Sequence, residues 1–223
     1  MSHLDLFMEH FKMWVVDACR EWDYPAPTDA FYAGVIDRLG DATLSWIGFG
    51  LQREIVKPEG LRFNVAQNQP HKGPYKWFSK RNDAKSPQVN WEYYVQVAYL
   101  VRIWEPCLQE ELTPVFEDKL MDLAVRRGEE LVWCIEVKEK ASQLKRLLTK
   151  LESLADDVRM GAADRGNDPL RKAKYLIKQR PPFFSGIANG LERHFQASFP
   201  SPKSFHLTEA PPPLVVPTGL PAG

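Results

Sequence analysis

Asp122, Glu136 and Lys138 are charged residues set into two otherwise apolar runs, Leu120 to Val125 and Leu131 to Lys138. The runs are joined by Arg126-Arg127-Gly128-Glu129-Glu130, a polar connection whose glycine suits a hairpin bend. Side chains alternate along a strand. Trp133, Ile135 and Val137 are therefore expected on a core face, Glu136 and Lys138 together on the other, and Asp122 beside them from the paired strand. Two carboxylates brought together offer hard oxygen ligands to Mg²⁺, with Mn²⁺ as a substitute, and leave coordination positions for water and a phosphate oxygen. A lysine beside such an ion can orient or deprotonate the attacking water, or offset the negative charge that builds during phosphodiester hydrolysis.

Glu and Lys are among the commonest residues, so a Glu-x-Lys tripeptide alone carries little weight, and Glu117-Asp118-Lys119 is a second match. Context separates the two. The match at 136 to 138 ends an apolar run, enters a helix that Ser142 can cap, and follows an apolar run with a lone aspartate. The competing reading is a solvated pair on a strand face, with Asp122 accepting a nearby backbone hydrogen bond. The histidines, His71 among them, show no zinc-ligand spacing, although His71 lies near enough to a basic loop to touch phosphate. No phosphate-binding Gly-x-x-x-x-Gly-Lys-Ser/Thr loop and no Gly-x-Ser-x-Gly elbow is present.

The elements that must position the three residues follow from periodicity. Residues 91–104 predict a helix with Glu92 in its first turn, 119–125 and 131–137 predict adjacent antiparallel strands, and Leu144, Leu147, Leu148, Leu151 and Leu154 mark the apolar stripe of the next helix. Lys145, Arg146 and Lys150 decorate the other sides of that helix. A basic helix is expected over 169–178, and a last helix over 186–196.

This constellation resembles the PD-(D/E)xK nuclease superfamily, the restriction-endonuclease-like enzymes, over roughly residues 88 to 180. The resemblance implies a helix, a three-stranded meander bearing the Asp and Glu-x-Lys, then a helix and a further strand. It implies Asp122 and Glu136 as metal-binding and catalytic carboxylates and Lys138 as the catalytic lysine. Glu92 would be the glutamate that some members carry on the preceding helix, a third metal ligand. Gln143, or else Lys145, would be the residue that some branches add from the following helix. Met121 stands where the proline of the motif would be.

The remainder supplies context for that chemistry. Leu4, Phe7, Phe11, Trp14 and Ala18 predict a helix over 3–22, Asp29 opens a second that ends near Gly40, and 43–56 and 61–65 look strand-like. From 67 to 88 the chain is polar: Lys72, Lys76, Lys80, Arg81 and Lys85 interleave with Tyr75, Trp77 and Phe78, a mixture suited to phosphate contacts with base stacking. With Lys145, Arg171 and Lys172, the residues Lys72, Lys76, Trp77, Lys80 and Arg81 form the expected nucleic-acid surface. The chain's 29 basic and 29 acidic residues cancel, so such a surface must arise by segregation into patches.

Three widely spaced cysteines and no apolar run long enough to cross a bilayer point to a cytoplasmic protein without disulfides. The expected fold is α/β, a mixed central sheet flanked by helices. Residues 1–87 form an N-terminal helical and hairpin extension, 88–198 the nuclease-like core, and 199–223 a Pro-rich flexible tail. The expected function is Mg²⁺-dependent cleavage of nucleic acid, DNA before RNA, with room for a homodimer and for a protein partner of the tail. The alternative is a catalytically inactive nuclease-like module that binds nucleic acid or a partner.

Overall fold

A computed structural model describes residues 1–67, 72–82 and 84–220; His71 and Pro221 lie outside the described residues. The chain forms two compact units, one of residues 1–102 and 217–223 and the other of residues 103–216.

The first unit begins with α1 (His3–Trp22), capped by Ser2, whose hydroxyl accepts from the Asp5 amide while the Asp5 carboxylate accepts from the Ser2 amide. Helix α2 (Asp29–Gln52) bends at Gly40, where a positive φ interrupts the helical path. The expected strand over 43–56 is therefore helix as far as Gln52. Leu44, Trp46, Ile47, Gly48 and Gly50 are all buried, and a segment that is apolar on most sides has no polar face to reveal a helical period. A Cβ at Gly48 would lie 1.9 Å from the His3 carbonyl oxygen, so α1 and α2 pack at a distance that only glycine allows.

Strands β1 (Val56–Glu59), β2 (Arg62–Val65) and β3 (Tyr75–Lys76) form one small antiparallel sheet, and β4 (Phe78–Ser79) pairs with β5 (Gln88–Val89). Strands β3 and β4 and the start of β5 lie in the polar segment of residues 67–88. Its aromatic residues turn inward: Trp77 is fully buried, stacked 3.9 Å from the Phe63 ring and 5.3 Å from that of Trp14, and Tyr75 and Phe78 are buried with it. Trp77 is a core residue, unable to stack on bases. Helix α3 (Trp91–Gln109) belongs to the first unit as far as Arg102 and to the second from Ile103.

The second unit is built on a six-stranded sheet of β6 (Thr113–Phe116), β7 (Leu123–Arg127), β8 (Glu130–Lys140), β9 (Phe183–Asn189), β10 (Leu191–Ser201) and β11 (Ser204–Glu209), ordered β11-β10-β9-β8-β7-β6. Only β8 and β9 run parallel, joined through α4 (Ala141–Leu154) and α5 (Asp168–Gln179); every other pair is antiparallel. Leu147 and Leu151 of α4 and Leu170, Ala173 and Leu176 of α5 pack against Cys134 of the sheet in one apolar cluster. The chain is thus a mixed α/β protein with a six-stranded mixed sheet.

Two sequence expectations fail in the C-terminal part. Residues 186–196, expected as a helix, are the hairpin of β9 and β10. Ile187, Leu191 and Phe195 imitate a helical spacing, but Asn189-Gly190, with Gly190 at φ 74°, forms a two-residue connection between paired Ala188 and Leu191. Residues 199–209, expected to begin a flexible tail, complete β10 and form β11. Pro200 is tolerated because the register breaks between Ser198 and Ser201, where no ladder amide is required of it.

Gly48→Ala should destabilise the protein by about 2 kcal/mol or more through overpacking. Gly34→Ala, in the same helix with nothing within 4 Å of the added carbon, should be neutral or stabilising by up to ~1 kcal/mol. Urea unfolding of the two variants checks this, and equal effects would refute the close-contact explanation.

Candidate active site

Glu136 has no exposed surface, although it lies on a central strand of the sheet. Directly across the β8–β9 ladder from it stands Gly186. A Cβ at Gly186 would come within 2.6 Å of Leu144 Cδ1, so the missing side chain lets α4 settle against the sheet beside the carboxylate. Asp122 sits just before β7, at the end of a loop in which Glu117 and Lys119 both take positive φ and the Glu117 amide donates to the Asp122 carbonyl at 2.8 Å. The Val137 amide donates to Asp122 Oδ2 at 2.6 Å, tying that carboxylate to β8.

Lys138 closes the arrangement. Its Nζ lies 2.8 Å from Glu136 Oε1 and 3.8 Å from Asp122 Oδ2, and it donates to the Val137 carbonyl at 2.7 Å. One cation therefore sits where two carboxylate oxygens and one backbone carbonyl converge. The expectation that Glu136 and Lys138 share a side and are joined by Asp122 matches this geometry, although Asp122 precedes its strand rather than lying within it.

The other oxygen of Glu136 is held by a residue assigned from sequence to a nucleic-acid surface. Lys172 is buried, with Nζ 2.5 Å from Glu136 Oε2 and donating to the Leu120 carbonyl at 2.9 Å. It is part of the site's interior, inaccessible to a phosphate backbone. The sequence carried a signal for this: Lys172 has Tyr175 and Leu176 three and four positions on, which places it on the apolar stripe of α5. Asp168, one turn before Lys172, lies 3.9 Å from its Nζ and 2.9 Å from Arg171.

Burial raises the Glu136 carboxyl to about 8, with the Asp122 charge acting in the same direction and Lys172 and Lys138 pulling against both. Burial disfavours the Lys172 ammonium too, but the charges of Glu136 and Asp122 outweigh it and hold that lysine above its ordinary value. Lys172 stays protonated. Glu136 is the member of the pair whose charge depends on the cation facing it.

The other candidate residues are distributed as follows. Gln143 accepts from the Lys140 amide at 3.0 Å, which makes the first turn of α4 begin at Ala141 rather than behind a Ser142 cap. Its side chain also lines a cleft of about 210 Å³ with Lys138, Arg146, Lys150, Asp168 and Pro169. Lys145 faces a different, larger cleft of about 760 Å³, with Leu148, Arg193, Phe205, His206 and Glu209. Glu92 is half-buried in the first turn of α3 and belongs to the first unit, whereas Asp122, Glu136 and Lys138 all belong to the second. Lys76, Lys80 and Arg81 are exposed, and Lys72 is half-buried, in the first unit; Arg171 is exposed on α5.

Arg126, part of the polar connection between the two apolar runs, grips the fully buried Asp118 through Nε at 2.7 Å and Nη2 at 2.6 Å. Sequence reasoning missed this pair, and with it the contributions of Lys172, Asp168, Arg146 and Lys150. Among the described residues no group of three or more His, Cys, Asp or Glu is placed to hold a metal, and no helix is long and apolar enough to cross a membrane. The donors gathered in the second unit are Asp122 Oδ2, Glu136 Oε1 and the Val137 carbonyl, hard oxygens suited to Mg²⁺ or Mn²⁺. No family model, curated protein or solved structure matches this chain.

Two outcomes are expected of this pair. Measured above pH 8, where Glu136 is ionised, Lys172→Met should cost about 3–5 kcal/mol by stranding its carboxylate, and adding Glu136→Gln should return much of that loss. Additive losses in urea unfolding would show that the two residues are not coupled. The second outcome is a pH dependence. The unfolded carboxyl releases its proton near 4.5 and the folded one near 8, so between those values the folded state holds the extra proton and stability falls as pH rises. The limiting slope is about 1.4 kcal/mol per pH unit. Relative to Glu136→Gln, the wild type should lose stability across this window, and parallel stability curves would contradict the assignment.

Proposed function

We propose that this chain is a metal-dependent phosphodiester hydrolase of the PD-(D/E)xK, restriction-endonuclease-like kind, acting on nucleic acid and on DNA before RNA. One observation carries the reading: the oxygens of Asp122, Glu136 and Val137 converge on Lys138 Nζ, at 3.8, 2.8 and 2.7 Å. A set of two carboxylates and a carbonyl that holds an ammonium can hold a divalent ion. The order of elements from α3 onward supports the same reading: a helix, the antiparallel strands β6, β7 and β8, helix α4, then α5 and the parallel strand β9.

Asp122 and Glu136, with the Val137 carbonyl, would hold Mg²⁺ or Mn²⁺, which when bound supplies a Lewis acid for phosphate and a more acidic water. Asp122 is oriented for this by its bond from the Val137 amide, and Glu136 by Lys172. Lys138 lies at the rim, with 18% of its side chain exposed, and can reach a substrate. Its ammonium orients the attacking water or stabilises the charge that gathers on the phosphoryl oxygens as the bond to the leaving oxygen breaks.

The second reading, a nucleic-acid-binding module without turnover, is favoured by the Lys172–Glu136 contact. A carboxylate with an ammonium at each oxygen is already neutralised and has less to offer a metal.

Incubation of the purified protein with DNA and RNA in Mg²⁺, Mn²⁺ or EDTA, beside Lys138→Ala, separates the readings. Cleavage that requires metal and falls by a factor of 10² or more in the variant is expected, in line with the loss of a charge-stabilising group. Binding without cleavage in any metal would move the chain to the binding module.

A further inference from the structure

We infer that the cleft between α4 and the start of α5 is a phosphate-binding subsite, which takes a backbone phosphate of a nucleic-acid strand next to the one presented to Lys138. The inference rests on the nuclease reading only for the role of Lys138; the cleft itself stands on its own geometry. Lys138 is common to both places: it meets Glu136 and Asp122 on one side and lines the cleft on the other. From α4, Gln143, Arg146 and Lys150 enter the same cleft at three- and four-residue spacing, so they form one row along the helix.

Arg146 and Lys150 are separated by one helical turn, ~6 Å, a step comparable with that between successive phosphates of a strand. Both are exposed, and no acidic side chain of α4 lines the cleft; Glu152 faces the larger cleft instead. The single acid in the cleft, Asp168, is compensated from its own helix by Arg171 at 2.9 Å and Lys172 at 3.9 Å. Gln143 has its carbonyl oxygen engaged by the Lys140 amide, which leaves its NH₂ as the end that can donate to a phosphate oxygen. An arginine fork, two ammonium groups and an amide donor around one concavity form a site for phosphodiester oxygens.

The subsite distinguishes among the basic residues of α4. Arg146 and Lys150 would contact backbone, whereas Lys145, lining the other cleft, would not. The test is binding of a fluorescein-labelled short DNA duplex, and of its single strand, in EDTA across a salt series, so that no turnover is needed. Arg146→Ala with Lys150→Ala should weaken binding at least tenfold and reduce the slope of log K against log salt by about 1.8 for duplex. Lys145→Ala should leave the slope unchanged, and Arg146→Lys with Lys150→Arg should largely restore binding. Equal slopes for wild type and the double alanine variant, or no binding of either probe by wild type, would overturn the subsite. Metal-dependent cleavage is assayed in parallel. Intact Arg146- and Lys150-dependent binding with no cleavage would sink the catalytic reading alone. Cleavage whose KM ignores both residues would sink the subsite alone.

Discussion

A fully buried carboxylate on a central strand carries a desolvation cost of several kcal/mol unless charge or hydrogen bonds compensate it. In this chain the buried part of that compensation comes from Lys172, with Lys138 at the rim, and much of the second unit can be understood from the Lys172 contact. The pair requires α5 to lie over the sheet with its apolar stripe inward, since the lysine rides on that stripe beside Leu176 and Tyr175. It requires residue 120 to turn its carbonyl toward the same ammonium, which fixes the chain just before Asp122. Lys172 therefore sets the position of both carboxylates, one by direct contact and the other through the loop that carries it.

The two lysines at Glu136 differ in kind. Lys172 is enclosed, and its partners are all protein atoms; moving it would leave a buried charge uncompensated. Lys138 is at the rim, where water can solvate its ammonium if another cation takes its place among the oxygens. That difference in burial separates a permanent countercharge from an exchangeable one. Under the proposed function, a more highly charged ion would displace only the rim ammonium and leave the enclosed one in place.

The part of this arrangement that follows strand and helix periodicity was legible in the sequence. Alternation along Trp133 to Lys138 put Glu136 and Lys138 on one side, and the leucine stripe of α4 placed that helix on the sheet. What was not legible depended on contacts between distant segments. Trp77 could be read as a stacking platform because its burial against Phe63 and Trp14 comes from tertiary packing. Composition marks α5 as a basic helix and so groups Lys172 with surface lysines, although its position on the stripe holds the contrary signal. The β9–β10 hairpin had its own local signature in Asn189-Gly190, which a coincidental four-residue spacing of apolar residues concealed.

Helix α4 joins the interior and the surface of the candidate site. On its inner side Leu144 occupies the space left by Gly186, the residue paired across the sheet with Glu136. On its outer side Gln143, Arg146 and Lys150 line the cleft that contains Lys138. The helix can hold only one depth and one rotation against the sheet, because Leu144, Leu147 and Leu151 are all buried. The placement of the outward cations relative to the carboxylates is therefore fixed by core packing rather than by the cations themselves. A Cβ at position 186 would come within 2.6 Å of Leu144 Cδ1, so the Leu144 side chain that seats α4 would have to shift. The glycine and the outward cations are thus linked through one helix, with the geometric constraint in the core and the charges at the surface.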